Sequence, residues 1–472
     1  MSDTTQPGSK VRKWGYSFTW TEEHLPREQT DPLQFESDQL GDAALESLQA
    51  IERAIHEKAK AQGDKPPSRD IYATLQEHHD DDEVLRQFWG QTHAVPDWVD
   101  WNQIERGQRY FSRYALANLL GFGLQGFVAE NSASVRVVEV LVRTGGFSTM
   151  KLLKRLLETF QWLVQVTDSL PAIQPGGSAH IATIRVRLLH ASVRQRMRKV
   201  AAEHPKYYDM QRFGLPLNTL DSIHSISTFS CSQMWMQLPR LGVFPTKQEK
   251  EDYVALFKYI AYLLGTPHSY FEDTEKARKL MESLYVHELK VTDTSNTVAH
   301  NFMECVSNLP WPFYISRSFI EAGSRWINGH ELCDQLGLGR PGYFYYVIFA
   351  GQCLLSIELA WAQRMFPFLD ALVVKGFRSL MYHGLVERKD RARFAMEWVP
   401  KLGKQTGKED HTKNSNKGRL SLGNVQSLAP IGLIEGGSQL GPNTTGLFSW
   451  SKMARMCGTT SLSFSEEAPT EI

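Results

Sequence analysis

The segment 182–200, ATIRVRLLHASVRQRMRKV, holds six basic residues between Arg185 and Lys199 and no acid. On a helix, Arg187, His190 and Arg194 fall at i, i+3 and i+7, within an arc of roughly 60°. Val186, Leu189 and Val193 take an adjoining face. A neutral imidazole is a good iron ligand, and its second nitrogen can donate to a group that fixes its orientation. Guanidinium groups pair bidentately with carboxylates, such as the two that a haem carries. The same spacing also describes a basic surface helix that holds a histidine.

A second segment, 151–166, is amphipathic. Leu152, Leu153, Leu156, Leu157, Phe160 and Leu163 form its apolar face. Lys151, Lys154, Arg155, Glu158, Gln161 and Gln165 share the opposite one, with Thr159 at the edge. This pattern reads as a solvated face with an Arg155–Glu158 pair at i, i+3. It also reads as the polar lining of a cofactor pocket, because Trp162 sits between Arg155 and Glu158 on the wheel.

The elements that must position these residues are predicted to be helices. Helical periods run through 43–61, 84–89, 101–120, 135–142, 152–166, 183–200, 217–238, 247–264, 275–285, 296–306 and 343–368. The Asn328-Gly329 step is not flanked by period-2 runs, which argues against a substantial sheet. The chain of 472 residues is 42% hydrophobic and 22% charged, so it can bury a large core. Its 52 basic and 52 acidic residues cancel, which removes any global field for nucleic acid or an anionic membrane and leaves only local asymmetry. Cys231, Cys305, Cys333, Cys353 and Cys457 are odd in number and form no C-x-x-C, as expected of free thiols in a reducing compartment. Residues 1–14 lack an apolar signal region. The most apolar stretch, 343–374, carries Gln352, Ser356, Glu358, Gln363 and Arg364, and is predicted to be a buried core helix rather than a membrane span.

Three parts are expected. Residues 1–68 read as a polar extension with one helix, loosely ordered over 1–35 and ending in a linker at 62–67. Residues 69–400 read as a helical catalytic domain. Residues 401–472 are low in complexity, with too little apolar area to offset the entropy of ordering. Two glycine motifs, Gly121-x-Gly123-x-x-Gly126 and Gly337-x-Gly339-x-x-Gly342, lack the strand-to-helix context of a dinucleotide loop and read as loop or helix-end glycines. The run His78-His79-Asp80-Asp81-Asp82 could begin a non-haem iron site, but reads better as a solvated charge run.

The order of several motifs resembles a known family. Arg155-x-x-Glu158-Thr159, then Arg187-x-x-His190-x-x-x-Arg194, is similar to the paired motifs of latex clearing proteins (rubber oxygenases) and the MpaB/MpaB′ oxygenases. Pro96-Asp97-Trp98-Val99-Asp100, Arg106-Gly107-Gln108, Phe111-x-Arg113-Tyr114, Leu215-Pro216-Leu217-Asn218, Thr228-Phe229-Ser230 and Leu336-Gly337-Leu338-Gly339 match as well. The resemblance spans roughly residues 70–395, the scale of one large domain.

The resemblance implies an all-α fold, a large single helical domain of globin-like flavour around a haem b pocket, with flexible N- and C-terminal extensions. It implies oxidative cleavage of carbon–carbon double bonds in isoprenoid chains by dioxygen. His190 then matches the proximal iron ligand, Arg187 and Arg194 the flanking arginines, and Arg155 and Thr159 the distal motif. Glu139 stands where some members carry an acidic residue proposed as a base. Rubber oxygenases place a lysine at the position of Glu158, where it can cap the iron. A glutamate could instead accept a proton or pair with Arg155, which points to a smaller hydrophobic or prenylated substrate. The stretches 309–319 and 343–368 could line a channel or pack the core. Two other readings stay open: a non-haem or divergent oxygenase, and a non-catalytic helical scaffold or lipid-binding protein. The expected setting is intracellular, in the cytoplasm or peripherally on the endoplasmic-reticulum membrane.

Overall fold

Apolar residues at helical spacing build nearly every element of the chain. The structure, a computed structural model, describes residues 6–64, 70–145, 149–307 and 315–381. The expected low-complexity tail from 401 on, Cys457, residues 65–67 of the expected linker and residues 309–314 of the expected channel stretch lie outside these residues. Apart from one-turn pieces, the order is β1 (Lys10–Lys13), β2 (Tyr16–Thr19), α1 (Gln39–Ala61), α2 (Ile71–His78), α3 (Glu83–His93), α4 (Trp101–Arg113) and α5 (Ala115–Gly121). Phe122–Asn131 is then a π-helix, followed by α6 (Val135–Arg143), α7 (Thr149–Val166), α8 (Ser178–Glu203) and α9 (Thr219–Ser227). A second π-helix, Thr228–Gln237, leads to α10 (Lys247–Leu263), α11 (Thr274–His287), α12 (Asp293–Val306), α13 (Arg317–Gln335), α14 (Tyr343–Met365) and α15 (Pro367–Met381). The fold is all-α; among the described residues β1 and β2 form the one antiparallel hairpin, with Lys10 opposite Thr19.

Residues 10–20, expected to be loosely ordered, are packed. Trp14, Tyr16, Phe18 and Trp20 alternate along the hairpin, and Trp14 and Trp20 are buried. Trp14 meets Tyr285 edge-on at 5.8 Å, and Lys13 donates to the carbonyls of Val286 and Leu289 at the end of α11. The period-2 aromatic pattern is the local cause, and α11 supplies the apolar surface that stabilises it.

The expected helix 101–120 breaks at Tyr114 into α4 and α5, and the expected helix 217–238 divides into α9 and the second π-helix. Helices α4 and α10 pack closely because Gly107 has no side chain: a Cβ there would lie 2.5 Å from the Asp252 carbonyl oxygen. Arg106 then reaches the Asp252 carboxylate with two hydrogen bonds of 2.9 Å. The two π-helices pack side by side in the main core. The first glycine motif departs from the expected loop or helix end: Gly121 closes α5, but Gly123 and Gly126 lie inside the π-helix that continues it. Gly337 follows α13 at φ +67°, a helix-end position. The run 78–82 closes α2 and caps α3: His78 pairs with Asp81 at 2.7 Å, and Asp82 accepts from the Leu85 amide.

Helix α14 departs from expectation. It is not a core helix. Cys353, Ser356, Ala360 and Gln363 face the body, whereas Tyr343, Trp361 and neighbouring apolar residues are exposed, Tyr343 to 90%. Hydropathy alone fixes that a helix prefers an apolar medium, not that the chain itself supplies one.

Candidate functional site

Helix α8 runs through the middle of the site-bearing region, although its six bases suggested a surface. Two of those bases, Arg187 and Arg194, are buried, while Arg198 and Lys199 stay exposed, and the burial of the two is made possible by α1. Asp38 caps α1, accepting from the Gly41 amide, and Asp42 lies in its first turn, where a helix N-terminus favours acids. Arg187, 3% exposed, donates to Asp38 through Nε at 2.6 Å and Nη2 at 2.8 Å, and to the Gln91 side chain and Leu263 carbonyl. Arg194 donates to Asp42 through Nε at 2.8 Å and Nη2 at 2.5 Å, and to the Leu217 carbonyl at 2.8 Å. Gly265, at φ +70°, makes room for Arg187, since a Cβ there would lie 2.7 Å from the guanidinium. Both arginines pair with carboxylates, as their chemistry led us to expect, but the carboxylates belong to the protein.

His190 lies between them and opens into a cavity of about 310 Å³. The walls are apolar, with Phe127, Val140, Leu156, Val193, Phe229 and Phe302 among them. The ring makes no hydrogen bond among the described residues. Burial, with the positive charge of Arg194, lowers its pKa from 6.5 to about 4, against the opposing pull of Asp38, so the imidazole is neutral at physiological pH. A second, polar space of about 10 Å³ borders the same ring, enclosed by Asp38, Arg187, Arg194, Ser222 and Gly265, the size of one water.

Helix α7 brings Arg155, Glu158 and Thr159 to the same cavity, together with Trp162. The Trp162 indole donates to Thr183 of α8 at 3.1 Å, which registers the two helices. Arg155 donates to the carbonyls of Leu141 and Thr144, and burial lowers its pKa to about 10, opposed by Glu158. Glu158 is half-buried and 3.7 Å from Lys154. Burial raises its pKa, with Lys154 and Arg155 pulling the other way. Glu139 is not among the lining residues: on α6 its neighbours Val137, Val140 and Leu141 face the cavity, while its carboxylate pairs with Arg143.

Three carboxylates near the site had no sign in the local sequence. Two of them, Asp38 and Asp42, are the partners of Arg187 and Arg194, about 150 positions away in the chain. The third, Asp221, lines the cavity; its Oδ1 accepts from Arg136 at 2.8 Å and its Oδ2 has no partner among the described residues. Burial raises its pKa despite Arg136. Behind the wall, the buried Glu130 accepts from His224 at 3.1 Å, Thr228 at 2.8 Å and Gln125 at 2.7 Å. Burial pushes Glu130 up, but these hydrogen bonds hold it below the usual value. His224 is therefore committed to Glu130, and only Thr228 of this group reaches the cavity.

A neutral imidazole that has no hydrogen-bond partner among the described residues and faces an apolar cavity could hold the iron of a porphyrin. Among the described residues, no group of three or more metal-ligating side chains offers an alternative metal centre.

Comparison with known proteins bears on the family and the fold. A "Rubber oxygenase" of Streptomyces sp. (strain K30) is 23% identical over 264 residues, 54% of this chain. The match spans 61% of that relative's length. The solved structure of latex clearing protein LCP in the closed state superposes with a TM-score of 0.55 at 17% identity, covering 77% of this chain and 93% of that one, a likeness of fold. Residues 109–347 match the family described as "ER-bound oxygenase mpaB/B'/Rubber oxygenase, catalytic domain", and this chain belongs to that family.

Proposed function

We propose that the chain is a haem b-dependent oxygenase that uses dioxygen to oxidise or cleave a carbon–carbon double bond in a small hydrophobic substrate, isoprenoid or prenylated. The observation that carries this reading is His190: a neutral imidazole without a protein partner, facing an apolar cavity. His190 would be the one protein ligand to iron, and the bound haem would supply the capacity to bind and activate dioxygen.

The chain's own residues supply position, dryness and a proton site. The Arg187–Asp38 and Arg194–Asp42 pairs fix α8 against α1 and so set where His190 points. The apolar wall receives the substrate and excludes water. Glu158 and Asp221, both raised by burial, can take or hold a proton at a carboxyl oxygen in the cavity. Arg155 keeps a positive charge beside Glu158, and Thr159 adds a hydroxyl donor. Glu139 enters only by way of α6, through its pair with Arg143. Glu158, where rubber oxygenases carry lysine, favours a substrate smaller than rubber. The proposed setting is inside the cell, in the cytoplasm or peripherally at the endoplasmic-reticulum membrane; the family description, "ER-bound", supports the second.

The test is the absorption spectrum of the purified protein with a pyridine haemochrome assay. One haem b per chain with a Soret band is expected. Bound iron without a Soret band would replace this reading with a non-haem oxygenase, and a folded protein with neither would favour a scaffold or lipid-binding role.

A further inference from the structure

Seventeen large hydrophobic side chains are exposed among the described residues, and twelve of them lie between Tyr343 and Leu380, on α14 and α15 and the bend between them. Val347, Ile348, Leu354 and Leu355 form the middle of this face. Aromatic rings mark its ends: Tyr343 and Phe344 at one, Trp361, Phe366 and Phe368 at the other. Several polar side chains of this α14–α15 hairpin point into the protein, while Glu358, Arg364 and Lys375 stay outside. Ser356 bonds the Gln352 carbonyl, and Gln363 reaches Asp370, which is held by Arg109 and Arg113 of α4. Arg378 donates to Ser112. The hairpin is thus fixed to the body along one side and bare on the other.

A face of this kind, apolar in the middle and aromatic at its margins, suits a lipid interface. Its inner side is occupied by protein, so α14 cannot be surrounded by lipid, and it would lie on a leaflet rather than cross it. Charge identifies the leaflet. Beginning seven residues beyond Met381, the sequence between 388 and 419 carries ten basic residues against four acidic ones. A basic segment directly after an apolar element complements anionic phospholipid head groups. A second copy of the chain is a poorer occupant. On this face it would offer the basic segment one exposed acid, Glu358, whereas an anionic leaflet offers many negative charges.

We propose that the exposed face of α14 and α15 docks this protein, monotopically, on an anionic phospholipid leaflet. The docking surface gives a location to the peripheral placement above, and it is independent of the haem assignment.

The test is flotation of the full chain, purified without detergent, with vesicles of phosphatidylcholine and phosphatidylserine at about 7:3, and with phosphatidylcholine alone. The wild type is expected to float with the mixed vesicles, and severalfold less with neutral vesicles or in high salt, which screens the basic segment. Val347→Asp, Leu354→Asp and Leu355→Asp, combined, should weaken flotation at least about tenfold while the circular dichroism spectrum and haem content stay as in the wild type. The proposal is overturned if the wild type stays with the soluble fraction, or if the triple variant floats as well as the wild type. It is also overturned if light scattering finds a wild-type dimer that the triple variant abolishes, since the face would then pair copies. Should the variant misfold, the wild-type comparison between neutral and anionic vesicles still decides.

Discussion

Helices α8 and α14 make opposite exchanges with their surroundings. The most basic helix is buried, and the most apolar one is bare. In α8, two guanidinium groups leave water because Asp38 and Asp42 meet them with bidentate geometry. In α14, an apolar stripe stays outside because the chain sends nothing to cover it within the described residues. Burial is therefore decided by the partner, and composition sets only what kind of partner is needed.

The largest effect should follow from breaking the buried side of this contrast. Arg187→Ala leaves Asp38 without its partner, and should cost about 3–5 kcal/mol of stability in urea unfolding. A loss close to zero would mean that the pair does not hold α8 in place. Next in size is Glu158→Gln, which keeps shape and removes the ionisable group. Turnover should fall about 10²-fold with haem content near wild type. Unchanged turnover would leave Glu158 as a structural residue of α7.

A smaller effect concerns the neutral imidazole. His190 has a folded pKa of about 4 against an ordinary 6.5, so between these values the unfolded chain binds a proton that the folded chain refuses. Stability of the haem-free protein should therefore fall as the pH drops from 6.5 towards 4. His180, also lowered to about 4 by burial, contributes to the same fall. His190→Gln should flatten the slope by close to one proton, measured by urea unfolding at several pH values; an unchanged slope would place the ring in water. The smallest effect belongs to the bare helix: Leu354→Ser should alter stability by no more than about 0.5 kcal/mol. A loss several times larger would show that Leu354 is packed after all.

Much of this architecture was legible in the sequence, because helical periodicity is local. Most of the helices, and the placement of His190 between two arginines, follow from i, i+3, i+4 spacing, whereas α2, α13 and α15 were not expected. The cavity takes residues from both faces of α7, Leu152 and Leu156 as well as Arg155 and Glu158. The alternation Trp14, Tyr16, Phe18, Trp20 was equally local, but its stability depends on α11, far along the chain. Asp38 and Asp42 could not be paired with Arg187 and Arg194 from spacing, since the contact arises only when α1 packs on α8. The same holds for Asp221, which reaches the cavity from α9, and for Glu130, which accepts from His224 on α9 and from Thr228 and Ser232 on the facing π-helix. The exposure of α14 was illegible for another reason: an apolar helix carries the same hydropathy whether protein or lipid covers it.

The central claim is that His190 alone among the side chains holds the iron, and haem content of His190→Ala tests it most directly. Alanine removes the coordinating nitrogen and preserves helix propensity in α8. With circular dichroism as the folding control, the variant should purify folded and with little or no haem, while Arg194→Ala, which leaves the imidazole in place, should retain most of it. A His190→Ala protein with full haem content and an unshifted Soret band would contradict the account.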